Sequence, residues 1–218
     1  MFASRLRSKV SILAVTALAL VALGVTAAVA MPGKGAQQYR ANLSAVPHLP
    51  TADGNSNASG SAKIVRKGDR LSVLVKAMGL SPGLPHAMHI HGKEAAAEIA
   101  TCPGADRRDD LVDDGLIETV EGIDDYGPVL VSFTTRGDTS AGSVLALDRF
   151  PVARENGSLT YTRRIKAPAN LASRLDELHV VVHGHDIDGD GQYGGRTTAL
   201  GAPLEGELPV ACGQIRGR

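Results

Sequence analysis

Ala62-Lys-Ile-Val-Arg66, then Lys67-Gly68-Asp69-Arg70, then Leu71-Ser-Val-Leu-Val-Lys-Ala77 follow one another without a gap. Two short β-prone runs around a Gly-Asp turn read as a hairpin. The same reading extends in both directions. Upstream, Tyr39–Ala45 alternates weakly, and Pro47–Ser61 is a loop dense in Pro, Asp, Gly, Asn and Ser. Downstream, strands are expected at His86–His91, at Val129–Thr135 after the Tyr126-Gly127-Pro128 break, and at Ser158–Ile165 after Glu155-Asn156-Gly157. Leu178–His183 and Leu208–Ile215 complete the set. Short strands separated by turn signals predict an all-β Greek-key sandwich or barrel. Glu94–Ala100 and Ala169–Leu175 are the two candidate short helices. Arg107–Asp125 is acidic and poorly patterned, and is expected to be a long loop.

The N-terminus has a different character. Arg5, Arg7 and Lys9 precede an apolar run from Val10 to Ala30 that ends in Ala28-Val29-Ala30. A basic segment, an apolar segment and a small-residue cleavage site predict a signal peptide over residues 1–30, with secretion or cell-envelope localisation. An uncleaved anchor is the alternative, and that segment is the only expected contact with a membrane. Residues 31–38 form a small-residue spacer, and the domain is expected over 39–216.

Cleavage after Ala30 leaves 20 basic against 23 acidic residues. That balance lacks a basic patch with interleaved aromatics, so nucleic acid is not an expected partner. Cys102 and Cys212 are the only cysteines. In an exported chain two cysteines read as one disulfide.

The chemistry is concentrated in histidine. His86, His89 and His91 fall within six residues. His89 and His91 are two apart, so on a strand both leave one face. His179, His183 and His185 form a second group, and His179 and His183 also share a strand face. Neutral imidazoles suit copper and zinc. His89, His91 and His183 are the expected metal ligands, and His179 and His185 are candidates for a fourth. His86 is expected to orient the loop through a backbone hydrogen bond. Asp186, Asp188 and Asp190 lie in a D-x-D-x-D-G run that resembles a calcium loop, but Thr197 stands where an EF-hand has its closing Glu. Ser143 is not in a nucleophile elbow, and CxxC, P-loop and G-x-G-x-x-G motifs are absent. Sequons occur at Asn42, Asn57 and Asn156.

Three separated motifs resemble the copper/zinc superoxide dismutases. Leu84-Pro-His86-Ala-Met-His89-Ile-His91 is similar to that family's His-Gly-Phe-His-Val-His strand, whose last two histidines bind copper. Val181-Val182-His183 is similar to the Val-Val-His carrying another copper ligand, and Ala211-Cys212-Gly213-Gln214-Ile215 to the C-terminal Ala-Cys-Gly-Val-Ile. The resemblance covers residues 71–216 and implies a Cys102–Cys212 disulfide, copper at His89, His91 and His183, and superoxide as the small anionic substrate. The family's bridging histidine and zinc ligands have no counterpart, because no histidine lies between Cys102 and Leu178. Zinc is therefore not expected. Pro209 stands where the family has an anion-attracting arginine, leaving Arg196 as the substitute to consider. Residues 39–92 also resemble the chordin-type (CHRD) domain, through Tyr39-Arg-Ala-Asn-Leu-Ser-Ala-Val-Pro and His89-Ile-His91-Gly92. That likeness implies a non-enzymatic extracellular binding or structural module. Copper storage or delivery is a third expectation.

Overall fold

In a computed structural model, residues 35–54, 56–93 and 98–218 are described. The expected leader 1–30, half of the spacer and the Glu94–Ala97 part of one expected helix lie outside the described residues. The described chain is a curled antiparallel sheet with few helices.

β1 (Gln37–Ala45), β2 (Ser59–Lys67) and β3 (Arg70–Met78) form a meander. The opening hairpin pairs Lys67 with Arg70, which leaves Gly68 and Asp69 as a two-residue turn. Gly68 takes φ +64°, a conformation such tight hairpin turns require and glycine adopts without penalty. On β3 Leu71, Val73, Val75 and Ala77 are buried between exposed or half-buried neighbours, as the period of two demands.

The chain then crosses to the other half of the sheet. β4 (Met88–His91) is followed by α1 (Thr119–Tyr126) and β5 (Val129–Ser132), which pairs β4. β6 (Leu159–Lys166) returns to β3, and α2 (Ala169–Ala172) leads to β7 (His179–His183) beside β4. α3 (Leu204–Glu207) precedes β8 (Pro209–Gln214), which pairs both β7 and the end of β1. β9 (Arg216–Gly217) pairs β1. The path β5-β4-β7-β8-β1-β2-β3-β6 is antiparallel throughout, with non-sequential neighbours at β4–β7, β8–β1 and β3–β6. Its curl puts Met88, Ile90, Val180 and Val182 into one core with Ile64, Val73, Val75 and Tyr161.

Two sequence expectations are corrected. β1 already starts at Gln37, inside the expected spacer. Arg107–Asp125 is not a continuous loop, because it follows a 3₁₀ turn at Ala105–Arg107 and contains most of α1. The helix rests on a capping box. The Glu118 amide donates to Glu121 Oε2 at 2.7 Å, and the Glu118 side chain accepts from the Glu121 backbone. Ile117, Ile123 and Tyr126 then pack around the disulfide with Val46 and Val181. Short length and acidic composition concealed a pattern that tertiary packing supplies. Among the described residues no helix is long and apolar enough to cross a membrane.

Candidate metal centre

β4 and β7 are buried on both faces. Met88, Ile90, Val180 and Val182 take the inner core, so alternation sends His89 and His91, with His179, Val181 and His183, to the opposite face. That face is covered by α1 and by the segments around residues 144–147 and 200–207.

There His89, His91 and His183 converge. One ring nitrogen from each lies within 4.8 Å of the others, and all three side chains are buried. His183 Nε2 is 3.4 Å from His91 Nε2, and the ring centroids are 5.2–5.6 Å apart.

The hydrogen bonds fix which nitrogen is free. His91 Nδ1 donates to the Gly127 carbonyl at 2.8 Å, and His183 Nδ1 donates to the Glu207 carbonyl at 2.7 Å. Each acceptor is a carbonyl, so each neutral ring carries its proton on Nδ1. The two Nε2 atoms therefore face each other as bare lone pairs and cannot bond one another. On His89 neither ring nitrogen makes a well-formed hydrogen bond, the Val144 backbone lying nearby. Burial, with its two imidazole neighbours, holds His89 well below the ordinary histidine range. Burial and His183 bring His91 to about 3, and burial brings His183 to about 4. All three are neutral at pH 7, the state a metal ligand needs.

α1 brackets this group from both ends. Gly127, which caps its C-terminus, holds His91. Thr119, its first residue, donates to the same Glu207 carbonyl at 2.5 Å and sits 3.4 Å from His183 Nδ1. Tyr126 lies edge-on to His91, with centroids 4.6 Å apart, and donates to the Thr119 carbonyl. These are the supports that keep a ligand's free nitrogen aimed.

A recess of about 20 Å³ opens onto the three rings. That is room for about one water-sized ligand. Val144, Leu145, Leu147, Leu200 and Ala202 line it, and Glu207 is part of the same wall. Glu207 Oε2 is buried without a hydrogen-bond partner, and burial raises that carboxyl to about 7.

The other sequence candidates fall elsewhere. His179 stands at the start of β7, opposite the His91 backbone, about 13 Å of strand rise from His183. It is not in the converging group, and its buried Nδ1 has no partner. His185 lies beyond the strand, where Nε2 donates to the Asp53 carbonyl at 2.6 Å and Nδ1 faces Ser81. Neither joins the three-histidine group, because the chain leaves β7 immediately after His183. His86 bonds the backbone of His183 and Ser81, tying the loop to the strand. His48, which the motif reading passed over, bridges the Ile117 amide and the Pro209 carbonyl.

Cys102 and Cys212 form a disulfide, with Cα atoms 5.7 Å apart. It points to an oxidising environment of the extracytoplasmic kind. In the acidic loop, Asp186, Asp188 and Glu205 bring carboxylate oxygens within 4.8 Å of one another, and Asp190 is not in that set. Glu205 of α3 therefore occupies the side of the loop that Thr197 was expected to leave open. These carboxylates already accept the loop's own amides: Asp186 from Gly189, Asp190 and Gly191, and Glu205 from Ile187 and Gly194.

Thr119, Gly127 and Glu207 are the site residues that sequence reading missed. Each acts largely through the backbone or through a non-local contact, and no local motif marks them. No family model matches the chain, and no curated protein matches it either.

Proposed function

We propose that the chain is an exported copper-binding protein of superoxide dismutase-like type, with His89, His91 and His183 as ligands and one position open to a small oxygen species. The observation that carries this reading is the set of bare nitrogens: two Nε2 lone pairs 3.4 Å apart, fixed by carbonyls behind them, beside a His89 ring that makes no well-formed hydrogen bond. Buried polar groups are rarely left so. A cation among them removes the repulsion and satisfies every ring.

The donor set favours copper. Imidazole suits copper and zinc, and copper(II) leads the divalent affinity order. Three neutral ligands in an apolar recess also favour an ion that can drop to a single positive charge. Bound copper supplies one-electron redox chemistry. The chain's own residues do the rest. The Gly127 and Glu207 carbonyls orient the rings, and the apolar wall excludes bulk water. Glu207 Oε2, at a pKa of about 7, holds or releases a proton beside the recess. Superoxide dismutation is the activity the resemblance implies, weakened by the missing bridging imidazole. Export follows from the leader pattern together with the disulfide.

The test is metal content and turnover of the copper-loaded protein. One tightly held copper with superoxide removal, both lost in His89→Ala and His183→Ala, supports the reading. Copper held without turnover points to storage or delivery. A failure to retain copper, with variants that change only stability, overturns it in favour of a structural CHRD-type module.

A further inference from the structure

The half of the sheet that does not carry the three histidines has an outer face of one charge. β9, β1, β2, β3 and β6 lie side by side, and together they hold ten lysines and arginines and no aspartate or glutamate. Tyr39, Ile64, Val73, Val75 and Tyr161 point into the core, so alternation sends most of these charges outward. The register lines them up. Arg216, Arg40 and Lys63 stand directly opposite one another on β9, β1 and β2. Lys67, Arg70 and Lys166 do the same on β2, β3 and β6. Arg164, opposite Ser72, stands in the row between. Three rows on five strands cover about 13 Å by about 19 Å.

Like charges directly opposite in a sheet are destabilising, and a face built for stability alone alternates their sign. Asp69 in the hairpin turn meets Lys166 at 3.4 Å, yet that lysine side chain stays 79 % exposed. Among the described residues no ion pair involves the other six cations. The exported chain as a whole is acidic, with its aspartates and glutamates dense over residues 106–125 and 186–190. The cationic face is therefore a local feature, and it gives the domain a direction.

A partner that matches it carries many negative charges spread over a plane. The cations extend across five strands rather than along one line, and no aromatic stands at the outward positions for a base to stack on. Residues 10–30, apolar in sequence, precede β1, whose first residue Gln37 pairs with Arg66 beside the Lys67–Arg70 turn. The stretch of sequence suited to a bilayer thus leads into the sheet at its basic end. We propose that this face docks the domain on an anionic bilayer, with phospholipid headgroups against the three rows. It adds a second membrane contact to the one expected from the leader. It is independent of the copper reading, because the histidines stand on β4 and β7.

The experiment measures binding of the full chain to two kinds of vesicle, phosphatidylcholine alone and about three parts phosphatidylcholine to one of phosphatidylglycerol. The neutral vesicles read what the leader contributes. Each cation near an anionic surface strengthens binding about fivefold. The anionic vesicles are expected to bind roughly a hundredfold more tightly, and that excess to vanish above about 0.5 M salt. Lys63→Gln combined with Arg70→Gln is expected to cut the excess roughly tenfold. Neutral-vesicle binding should hold, and the urea midpoint should hold or rise as repulsion is relieved. Arg136→Gln makes the same change of charge at an exposed side chain outside these strands, and should leave the excess at its wild-type value. Equal binding to both vesicles, or a loss that Arg136→Gln reproduces, overturns the proposal. Dextran sulfate held more tightly than the anionic vesicles at equal salt also overturns it, and makes the partner a linear polyanion. Salt-sensitive self-association that the double variant abolishes, with no excess on anionic vesicles, overturns it in favour of a second copy of the chain.

Discussion

The carbonyl of Gly127 accepts the Nδ1 proton of His91 at 2.8 Å, so the C-terminus of α1 decides which nitrogen of a β4 histidine faces the metal group. Gly127 can do this only as glycine. Its φ is +78°, and a Cβ there would lie 2.5 Å from the backbone of Gly92. Gly127→Ala is expected to destabilise the fold by roughly 1–3 kcal/mol through strain and this clash. It should weaken copper affinity more than its stability loss alone explains, because His91 loses its orienting acceptor. Urea denaturation of the apo protein and calorimetric copper titration of the folded fraction separate the two effects. Unchanged affinity in the folded fraction removes Gly127 from the site.

The disulfide supports the same helix from below. Cys102 and Cys212 pack with Ile117, Ile123 and Tyr126, and Tyr126 in turn rests on His91. The bridge closes a separation of 110 residues. Replacing both cysteines by serine is expected to cost about 4–5 kcal/mol on the chain-entropy account. Copper affinity should fall by a smaller factor, since β4 and β7 still hold the three histidines. Chemical denaturation with and without reductant gives the first number, and wild-type behaviour under reductant would contradict it.

The strands were legible because each is short, β-prone and bounded by turn residues, and β3 carries its period of two in plain view. The His89–His91 pair was legible for the same reason, since two residues apart means one face. His183 needed the register of β4 against β7, which no local pattern encodes. His179 misled because sharing a strand face says nothing about distance along the strand. α1 was hidden because its packing positions, Ile123 and Tyr126 with Ile117 just ahead of the cap, are sparse among aspartates and glutamates. Their partners, Val46, Val181 and the cystine, come from remote parts of the chain. Glu207 carries no motif at all. Its place beside the histidines follows from where α3 delivers the chain into β8.

Acid should destabilise the apo protein. Burial lowers the pKa of His48, His86, His89, His91, His179 and His183 in the folded state, with His179 and His183 at about 4 and His91 at about 3. Unfolded histidines take up protons near pH 6.5. Below that pH the unfolded chain binds protons that the native chain refuses, so stability falls as pH falls. The loss begins near pH 6.5 and continues to about pH 4, with a limiting slope of about 1.4 kcal/mol per pH unit for each histidine that stays neutral. Glu207, raised by burial to about 7, and Glu121, also raised by burial, act with the opposite sign and offset part of this loss. The six rings outnumber the two carboxyls, so urea midpoints should still drop between pH 6 and 5. Level midpoints across that lower range would show these rings to be solvated.

Arg196 gives the last prediction, and it distinguishes a steering group from a structural one. Its guanidinium pairs with Glu118, whose side chain is 2 % exposed, and reaches Asp114 at 3.5 Å. Glu118 also belongs to the capping box that starts α1. Removing the cation leaves a buried carboxylate without its counter-charge. That costs about 3–5 kcal/mol for a fully buried pair, and less here because the arginine side is 40 % exposed. Arg196→Ala is therefore expected to lose about 2 kcal/mol of stability. Azide affinity of the copper-loaded protein and its salt dependence should stay near wild-type values, because Arg196 is held by Glu118 and Asp114 and does not line the recess. Arg196→Lys should recover part of the stability, since a point charge can still meet Glu118 without the planar fork. A variant that keeps wild-type stability but binds azide several-fold more weakly would return Arg196 to the role of anion guide.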